Sequence, residues 1–391
     1  MEAERMTLGV EEEYFIVHVD SGELAGRSDE LVPAARSELG TAVTHEFNRC
    51  QIEVATGVCE SLDEVREDLI RMRSGLAAAA SPLGCAIAAV GTHPRSSWED
   101  QEVKGDVDRY RRMEHRYQAV ARQQVICGCH VHVGVADPEM AMEITNRAQP
   151  WLPVLLALSA NSPYWHGVET GYDSYRTEVW QRWPTAGMPS RLGSRLEYDD
   201  LVAELQMIGA IEDATHLYWY VRPSARWPTV EFRPCDVCTD VEDTVALAAL
   251  IRALAWTCRR DALDGVADLS RGRDSAEAAM WRAARYGLSG WLVDPRVDRL
   301  TPASELVAQL LDHVRDGLAA HGDVDKVTDR IERILDAGNG ATAQRRCLDA
   351  PEGVAPEPHE WAAMVRSIVD RTNPHAGDPT TALADRGAPR H

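Results

Sequence analysis

The sequence contains very little lysine. Lys104 and Lys326 are its two lysines, and the rest of its 41 basic residues are arginines. A Walker-type nucleotide loop requires a lysine directly after its glycines, and neither lysine has that setting. Lys104 also lies in the charged stretch EVKGDVDRY, unlike the buried lysine of a Schiff-base enzyme. The sequence therefore argues against both of these chemistries.

Long apolar runs, an excess of positive charge and a secretory leader are also absent. No uninterrupted apolar run reaches the roughly 18 residues that a membrane span needs. The formal net charge of -21 does not suit binding to nucleic acid or to an anionic membrane surface, which both attract basic patches. The nine cysteines are an odd number and lie in apolar stretches, and residues 1–6 do not resemble a secretory leader. These features are typical of a protein whose thiols stay reduced. We expect a cytoplasmic protein that binds neither nucleic acid nor membrane.

The length and composition indicate a large folded unit. Hydrophobic residues make up 45% of the 391 residues, which is ordinary for a folded protein. We expect one large domain or two intimately joined ones, and we assign residues 1–372 to a single domain. Residues 373–391 are polar and lack the apolar content to fold, so we expect a disordered tail there.

Residues 8–17, LGVEEEYFIV, predict the strand around which the rest is organised. Side chains of a strand alternate between two faces, so Glu11 and Glu13 would share one face about 7 Å apart. A single E-x-E is more often a sheet edge protected by charge. Later predicted strands, however, also carry polar side chains at alternate positions.

Further predicted strands also place polar side chains on one face. Their ranges are residues 47–58, 125–135, 217–224 and 229–233. The polar side chains that they contribute are Glu53, His130, His132, Tyr218, Tyr220, Arg222, Glu231 and Arg233.

The intervening segments are mostly helical in pattern. Ser61 and Glu64 fit a capping box before an amphipathic helix. Residues 106–124 predict one charged helix, and residues 240–260 a long one opened by Asp240. Residues 165–195 have no regular period and predict a long functional loop.

Several carboxylates with a neutral histidine form a hard, mostly oxygen site for Mg²⁺. Arginines suit phosphate oxygens because the guanidinium donates two parallel hydrogen bonds. Such a wall fits phosphoryl transfer from ATP, in which metals and positioning provide most of the rate.

Each of these motifs also has an interpretation in which it only stabilises the fold. On its own, H-x-H is about as often a hydrogen-bonded pair on a sheet as a ligand pair, and E-x-R is more often a surface ion pair of little energy. Zinc is a sharper alternative, because Cys127, Cys129 and His130 could combine with Cys235 and Cys238. Alternation argues against zinc, since Cys127 and Cys129 would lie opposite His130.

Several motifs together resemble one known family. The chain is similar to the glutamate–cysteine ligase type 2 group, also called the YbdK-type carboxylate–amine ligases, whose fold is similar to the catalytic domain of glutamine synthetase. The motifs are GVEEEY (9–14), QIEVATGVC (51–59), GCHVHVGV (128–135), LPVLLALSANSPYWHGVETGYDSYR (152–176), RPS (222–224), TVEFRPCDVC (229–238) and WRAARYGL (281–288).

The resemblance implies an α+β fold, with a curved antiparallel sheet, helices packed on its outer face, and ATP and Mg²⁺ on its concave face. It implies an acyl phosphate that an amine converts to an amide. By the same resemblance the metal ligands are Glu11, Glu13, Glu53, His130 and Glu231. It further implies that His132, Arg222 and Arg233 face the phosphates and that Arg176 binds a substrate carboxylate.

The resemblance gives L-glutamate and L-cysteine as default substrates. Tyr220 stands where an acidic residue is expected in this family, so we place it beside the substrate and leave the acceptor amine open. A phosphotransferase acting on guanidino or carboxylate groups and a non-catalytic zinc-stabilised binding protein are the alternative functions. A homodimer is also left open.

Overall fold

A computed structural model describes residues 5–348 and 356–374. The strands in this part of the chain are β1 (Leu8–His18), β2 (Val43–His45), β3 (Gln51–Ala55), β4 (Cys85–Ala88), β5 (Gly128–Gly134), β6 (Tyr164–Trp165), β7 (Val168–Glu169), β8 (Val221–Pro223), β9 (Thr229–Asp236), β10 (Trp291–Asp294) and β11 (Arg299–Pro302).

The main sheet is open and antiparallel. Its strand order is β2-β3-β1-β5-β9-β8, and β4 pairs with the far end of β1. The pairs β6–β7 and β10–β11 are separate hairpins. The predicted α+β class with an antiparallel sheet is therefore confirmed.

Helices surround this sheet. They are α1 (Ser28–Leu39), α2 (Leu62–Ala80), α3 (Asp108–Tyr117), α4 (Ala119–Arg122), α5 (Pro138–Ala148), α6 (Leu152–Ser159), α7 (Tyr175–Trp180), α8 (Arg195–Met207), α9 (Val241–Leu263), α10 (Arg273–Tyr286), α11 (Ala303–His313), α12 (Arg315–His321), α13 (Val324–Ala337), α14 (Gly340–Cys347) and α15 (Pro358–Thr372).

One face of the sheet forms the core with helices α2 and α9. Val10, Tyr14 and Ile16 of β1 are fully or almost fully buried on this face. The largest buried apolar cluster runs from Met6 to Ile368 and includes side chains from both helices. The opposite face of β1 is left for polar side chains.

The helix-side face of β1 also buries an ion pair. The Glu12 carboxylate lies 2.5 Å from Nη2 of Arg73 on α2 and accepts a hydrogen bond of 2.7 Å from Thr244 on α9. Tyr14 donates a further hydrogen bond to it. Arg73 also donates to the backbone oxygen of Thr239, at 2.7 Å. Glu12 thus links the sheet to both helices.

Helix α2 begins where the sequence predicts it. The Ser61 hydroxyl accepts a hydrogen bond from the backbone N–H of Glu64, which satisfies one of the unpaired donors of the first turn. The Glu64 carboxylate does not complete the capping box, because it accepts from the N–H of Glu60 instead.

Two predicted segments differ in the structure. The single helix predicted over residues 106–124 is wrong: α3 ends before Gln118, whose φ of 50° starts the short α4. A left-handed residue cannot continue a right-handed helix. The predicted loop over residues 165–195 also contains α7, which is only six residues long.

None of the helices in the described part of the chain is both long and apolar enough to cross a membrane. Asn373 and Pro374 are the described residues of the predicted tail, and the remainder of it lies outside the described residues. The division at residue 372 stays a prediction.

Candidate active site

The strand register places the predicted site residues side by side. Directly opposed pairs across neighbouring strands are Glu13 with Glu53, Glu11 with His130, His132 with Glu231, and Arg222 with Glu231. Facing side chains of an antiparallel pair lie close together. These residues line a cavity of about 430 Å³ on the sheet face opposite α2 and α9, which we call the site cavity.

One potential metal site combines Glu11, His132 and Glu231. Each offers a ligand atom, and these atoms lie within 4.8 Å of one another. His132 Nε2 is 3.4 Å from Glu11, and its Nδ1 is 2.8 Å from the Thr229 hydroxyl, which fixes the ring. We call this set the histidine-containing group.

His130 lies beside this group rather than in it. Its Nδ1 is 3.1 Å from the Glu11 carboxylate, and its Nε2 is buried with no hydrogen-bond partner among the described residues. Burial raises the pKa of Glu11, but the hydrogen bonds of His130 and His132 outweigh burial and hold that pKa below its ordinary value. The geometry thus brings the His132 imidazole into the histidine-containing group, and His130 as a metal ligand stays a prediction.

A second set, the all-carboxylate group, consists of Glu13, Glu46 and Glu53. Their ligand atoms also lie within 4.8 Å of one another. Burial raises the pKa of all three carboxyls, and repulsion from Glu11, Glu46 and Glu13 adds to the increase at Glu53. Since crowded carboxylates disfavour each other's charge, a divalent cation would relieve this repulsion.

The sequence interpretation missed Glu46. It directly follows β2, which is only three residues long. The signal was available, because Thr44 and Glu46 alternate with Val43 and His45, and Thr44 pairs with Glu53 in the register. Both of these side chains line the site cavity.

The two arginines predicted to face the phosphates differ in which N–H groups have hydrogen-bond partners. Arg222 donates two hydrogen bonds to Glu231, of 2.8 and 3.2 Å, and another of 3.0 Å to the backbone oxygen of Thr215. Arg233 pairs with Glu231 through one terminal nitrogen, while its buried Nε has no partner in the described chain. Burial alone raises the pKa of Glu231, but Arg222 and Arg233 hold it well below its usual range. Arg222 thus orients Glu231, whereas Arg233 keeps a donor free.

Arg176 reaches the site cavity from α7. Its side chain is 2% exposed, and the guanidinium carbon lies 5.7 Å from the centre of the Trp180 ring. A Cβ at position 128 would overlap the guanidinium, so any larger residue there would displace the Arg176 side chain. Four further aromatic side chains that line the cavity, Phe47, Tyr110, Trp183 and Tyr218, form part of a small separate cluster.

Tyr220 does not line the site cavity. The residue is 1% exposed, and its hydroxyl accepts a hydrogen bond of 2.8 Å from Gln181. Burial raises its pKa above the ordinary value, so the phenol stays protonated. Tyr220 therefore lies outside the residues that could contact a substrate in the site cavity, unlike its predicted place beside the substrate.

The cysteines form no metal site in the part of the chain that the structure describes. All nine are free of disulfides, and the metal-ligand groups found among the described residues contain no cysteine. Cys127, Cys129 and Cys238 are buried, which raises their pKa well above the ordinary value and disfavours the thiolate that zinc binds. The zinc alternative therefore has no support here.

The ligand atoms in both groups suit Mg²⁺. Five of the six side chains are carboxylates and the sixth is an imidazole, and hard cations such as Mg²⁺ prefer oxygen ligands. The adjoining arginines supply positive charge for an anionic substrate. The face can therefore hold a polyphosphate between metal-binding acids and guanidinium groups.

Comparison with known proteins identifies one family. A family model described as glutamate–cysteine ligase family 2 matches residues 7–371. A protein from Rhodopirellula baltica, named as a candidate glutamate–cysteine ligase 2, is 39% identical over 375 residues, covering 95% of this chain and 98% of its own.

Two solved structures share the fold. The glutamate–cysteine ligase of Francisella tularensis, solved in complex with AMP, has a TM-score of 0.68 and 14% identity, over 97% of this chain and 91% of its own. A bifunctional glutathione synthetase from Pasteurella multocida has a TM-score of 0.69 and 14% identity, over 97% of this chain. The chain spans only 54% of that longer protein.

Proposed function

Because this chain belongs to glutamate–cysteine ligase family 2, and is therefore an enzyme of the carboxylate–amine ligase class, we propose that it uses ATP and Mg²⁺ to join a carboxylate to an amine. The observation that carries the proposal is the pair of acidic groups on one sheet face, with arginines beside them. L-Glutamate and L-cysteine are the default substrates.

The proposed reaction has two balanced steps. A substrate carboxylate oxygen attacks the γ-phosphorus of ATP, and ADP leaves, which gives an acyl phosphate. The nitrogen of an amine then attacks the acyl carbon, phosphate leaves with the bonding electrons, and the nitrogen loses a proton. Bound Mg²⁺ screens the charge of the triphosphate and stabilises charge in the transition state.

The protein's part is to position these groups. The histidine-containing group and the all-carboxylate group would hold the cations, and Arg222 keeps the Glu231 carboxylate in place by a bidentate contact. Arg233 offers its free Nε–H to phosphate oxygens. Arg176 lies near Glu13 and Gly128, and its positively charged guanidinium would bind a substrate carboxylate.

We also propose a cytoplasmic location. Eight of the nine cysteines are buried, and none of the nine, all of which are described, forms a disulfide. Unpaired cysteines are typical of proteins in reducing compartments.

The test is an assay of ADP, phosphate and amide over a panel of carboxylates and amines, including L-glutamate and L-cysteine. We expect ADP, phosphate and amide in equal amounts, and only when ATP, Mg²⁺ and both substrates are present. ADP release with the phosphate retained on the product would instead indicate the phosphotransferase. No ADP release with any pair would contradict the proposal.

Two variants test the metal groups within the same assay. Glu53→Gln and Glu231→Gln should each abolish turnover while the far-ultraviolet circular dichroism stays unchanged. Glu332→Gln, at an exposed acid on α13, is the matched control and should keep full activity. Normal turnover of either site variant would remove that residue from the proposed metal ligands.

A further inference from the structure

Asp236, which the proposed function does not use, is a fully buried acid at the end of β9. Its carboxylate accepts hydrogen bonds from the backbone N–H of Asn161, at 2.8 Å, and from the hydroxyls of Ser162 and Ser174, at 2.7 and 2.8 Å. These three donors belong to the segment between α6 and α7. Asp236 therefore ties the start of α7 to the sheet.

The same carboxylate faces Arg176. The Nη1 atom of Arg176 lies 3.9 Å from Oδ1 of Asp236 and 3.5 Å from the backbone oxygen of Pro234. The backbone N–H of Arg176 donates to the Ser162 hydroxyl, at 3.0 Å, which in turn donates to Asp236. Both the side chain and the backbone of Arg176 are thus connected to this one acid.

Gly128 leaves room for the Nη2 atom of the Arg176 guanidinium. The Nη2 atom occupies the space where a side chain at position 128 would lie. The Nε atom is buried and has no hydrogen-bond partner in the described part of the chain. A buried donor without a partner is costly, so this edge of the guanidinium is the one that suits a ligand in the site cavity.

We propose that Asp236 is a positioning residue that holds the Arg176 guanidinium against Gly128, with its Nε edge presented to the substrate carboxylate that is not phosphorylated. This inference rests on the proposed function. Arginine binds carboxylate through two parallel N–H donors, and a guanidinium fixed beforehand loses less entropy on binding.

A double-mutant cycle tests the connection. Asp236→Asn should raise KM for the donor carboxylate at least tenfold and change KM for ATP less than twofold. In an Arg176→Ala background, Asp236→Asn should add less than twofold, because the group through which it acts is gone. Independent, multiplicative effects of the two substitutions would overturn the proposal.

Gly128→Ala provides a second route that leaves Asp236 intact. It should raise the same KM, and again add less than twofold in the Arg176→Ala background. The control is Asp323→Asn, at another buried acid, which pairs at 2.6 Å with the buried Arg252 on α9. This control should leave both KM values unchanged, which separates loss of positioning from loss of a buried ion pair in general.

A substrate-independent measurement separates this proposal from the proposed function. Nitrogen-15 relaxation of the Arg176 Nε–H signal should show a rigid side chain in the unsubstituted protein and a mobile one in Asp236→Asn. If no substrate pair releases ADP, the proposed function fails, and this signal still decides whether Asp236 holds Arg176. A signal equally rigid in both proteins would overturn the positioning role.

Discussion

Replacing Glu53 with glutamine should stabilise the metal-free protein and remove its stabilisation by Mg²⁺. The all-carboxylate group brings Glu13, Glu46 and Glu53 together with ligand oxygens within 4.8 Å. Burial, and then the neighbouring acids, raise the pKa of Glu53 well above its ordinary value, so its ionised form is disfavoured. Glutamine keeps the shape of the side chain and removes the charge.

The size of the effect follows from Coulomb's law. Two unit charges 4.8 Å apart repel by about 3.5 kcal/mol at an effective dielectric constant of about 20. Partial protonation of the group already relieves part of this repulsion, so we expect a gain of about 1–3 kcal/mol in the free energy of unfolding. For a chain of 391 residues that gain corresponds to a rise of roughly 1–4 °C in the melting midpoint.

Thermal unfolding in excess EDTA and in millimolar MgCl₂ measures both parts of the prediction. The unsubstituted protein should gain stability with Mg²⁺, because a ligand that binds only the folded state stabilises it. Glu53→Gln should melt higher than the unsubstituted protein in EDTA and respond little to Mg²⁺, while Glu332→Gln should respond fully. A variant that melts lower in EDTA, or keeps the full response to Mg²⁺, would refute the reasoning.

Three further outcomes are expected. Burial lowers the pKa of His93 to about 4, so the unfolded state binds the proton first on acidification. The free energy of unfolding should therefore be at its full value above the unfolded pKa of about 6.5 and fall by about 3 kcal/mol towards pH 4. Urea unfolding of His93→Asn should lose this pH dependence. Arg73→Leu leaves the buried Glu12 without its cation and should cost about 3–5 kcal/mol in urea unfolding, whereas Arg71→Leu, on the exposed side of α2, should cost less than about 0.5 kcal/mol. Arg222→Lys loses the bidentate contact with its glutamate and should raise the Mg²⁺ concentration needed for half-maximal activity several-fold; an unchanged Mg²⁺ titration would count against that orienting role.

Alternation along strands was a reliable guide to the site where the strands are long. The site-facing acids of β1, and Glu231 with Arg233 on β9, follow directly from a two-residue period. The same period correctly placed Cys129 on the face opposite His130, which lines the site cavity. Register between strands, which decides which acids meet, depends on tertiary packing and could not be derived from the period alone.

The predictions from alternation failed where a regular strand ends. Alternation placed Tyr218, Tyr220 and Arg222 on one face, but β8 comprises only Val221–Pro223, and Tyr220 lies outside the cavity lining to which Tyr218 and Arg222 belong. Glu46 was missed because it stands one residue beyond the short strand β2, although the alternation of that strand continues to it. The buried acid that faces Arg176 was also missed, because its partners come from a loop segment whose path the sequence does not show.

The order Glu11–Glu12–Glu13 on β1 assigns neighbouring acids to opposite sides of the sheet, two facing the site cavity and one bonded to Arg73 and Thr244. Deleting or inserting one residue within this strand would exchange those sides, since a shift of one position reverses every side chain. Length changes in relatives should therefore be confined to the connecting loops, and catalysis and folding of this strand cannot evolve separately.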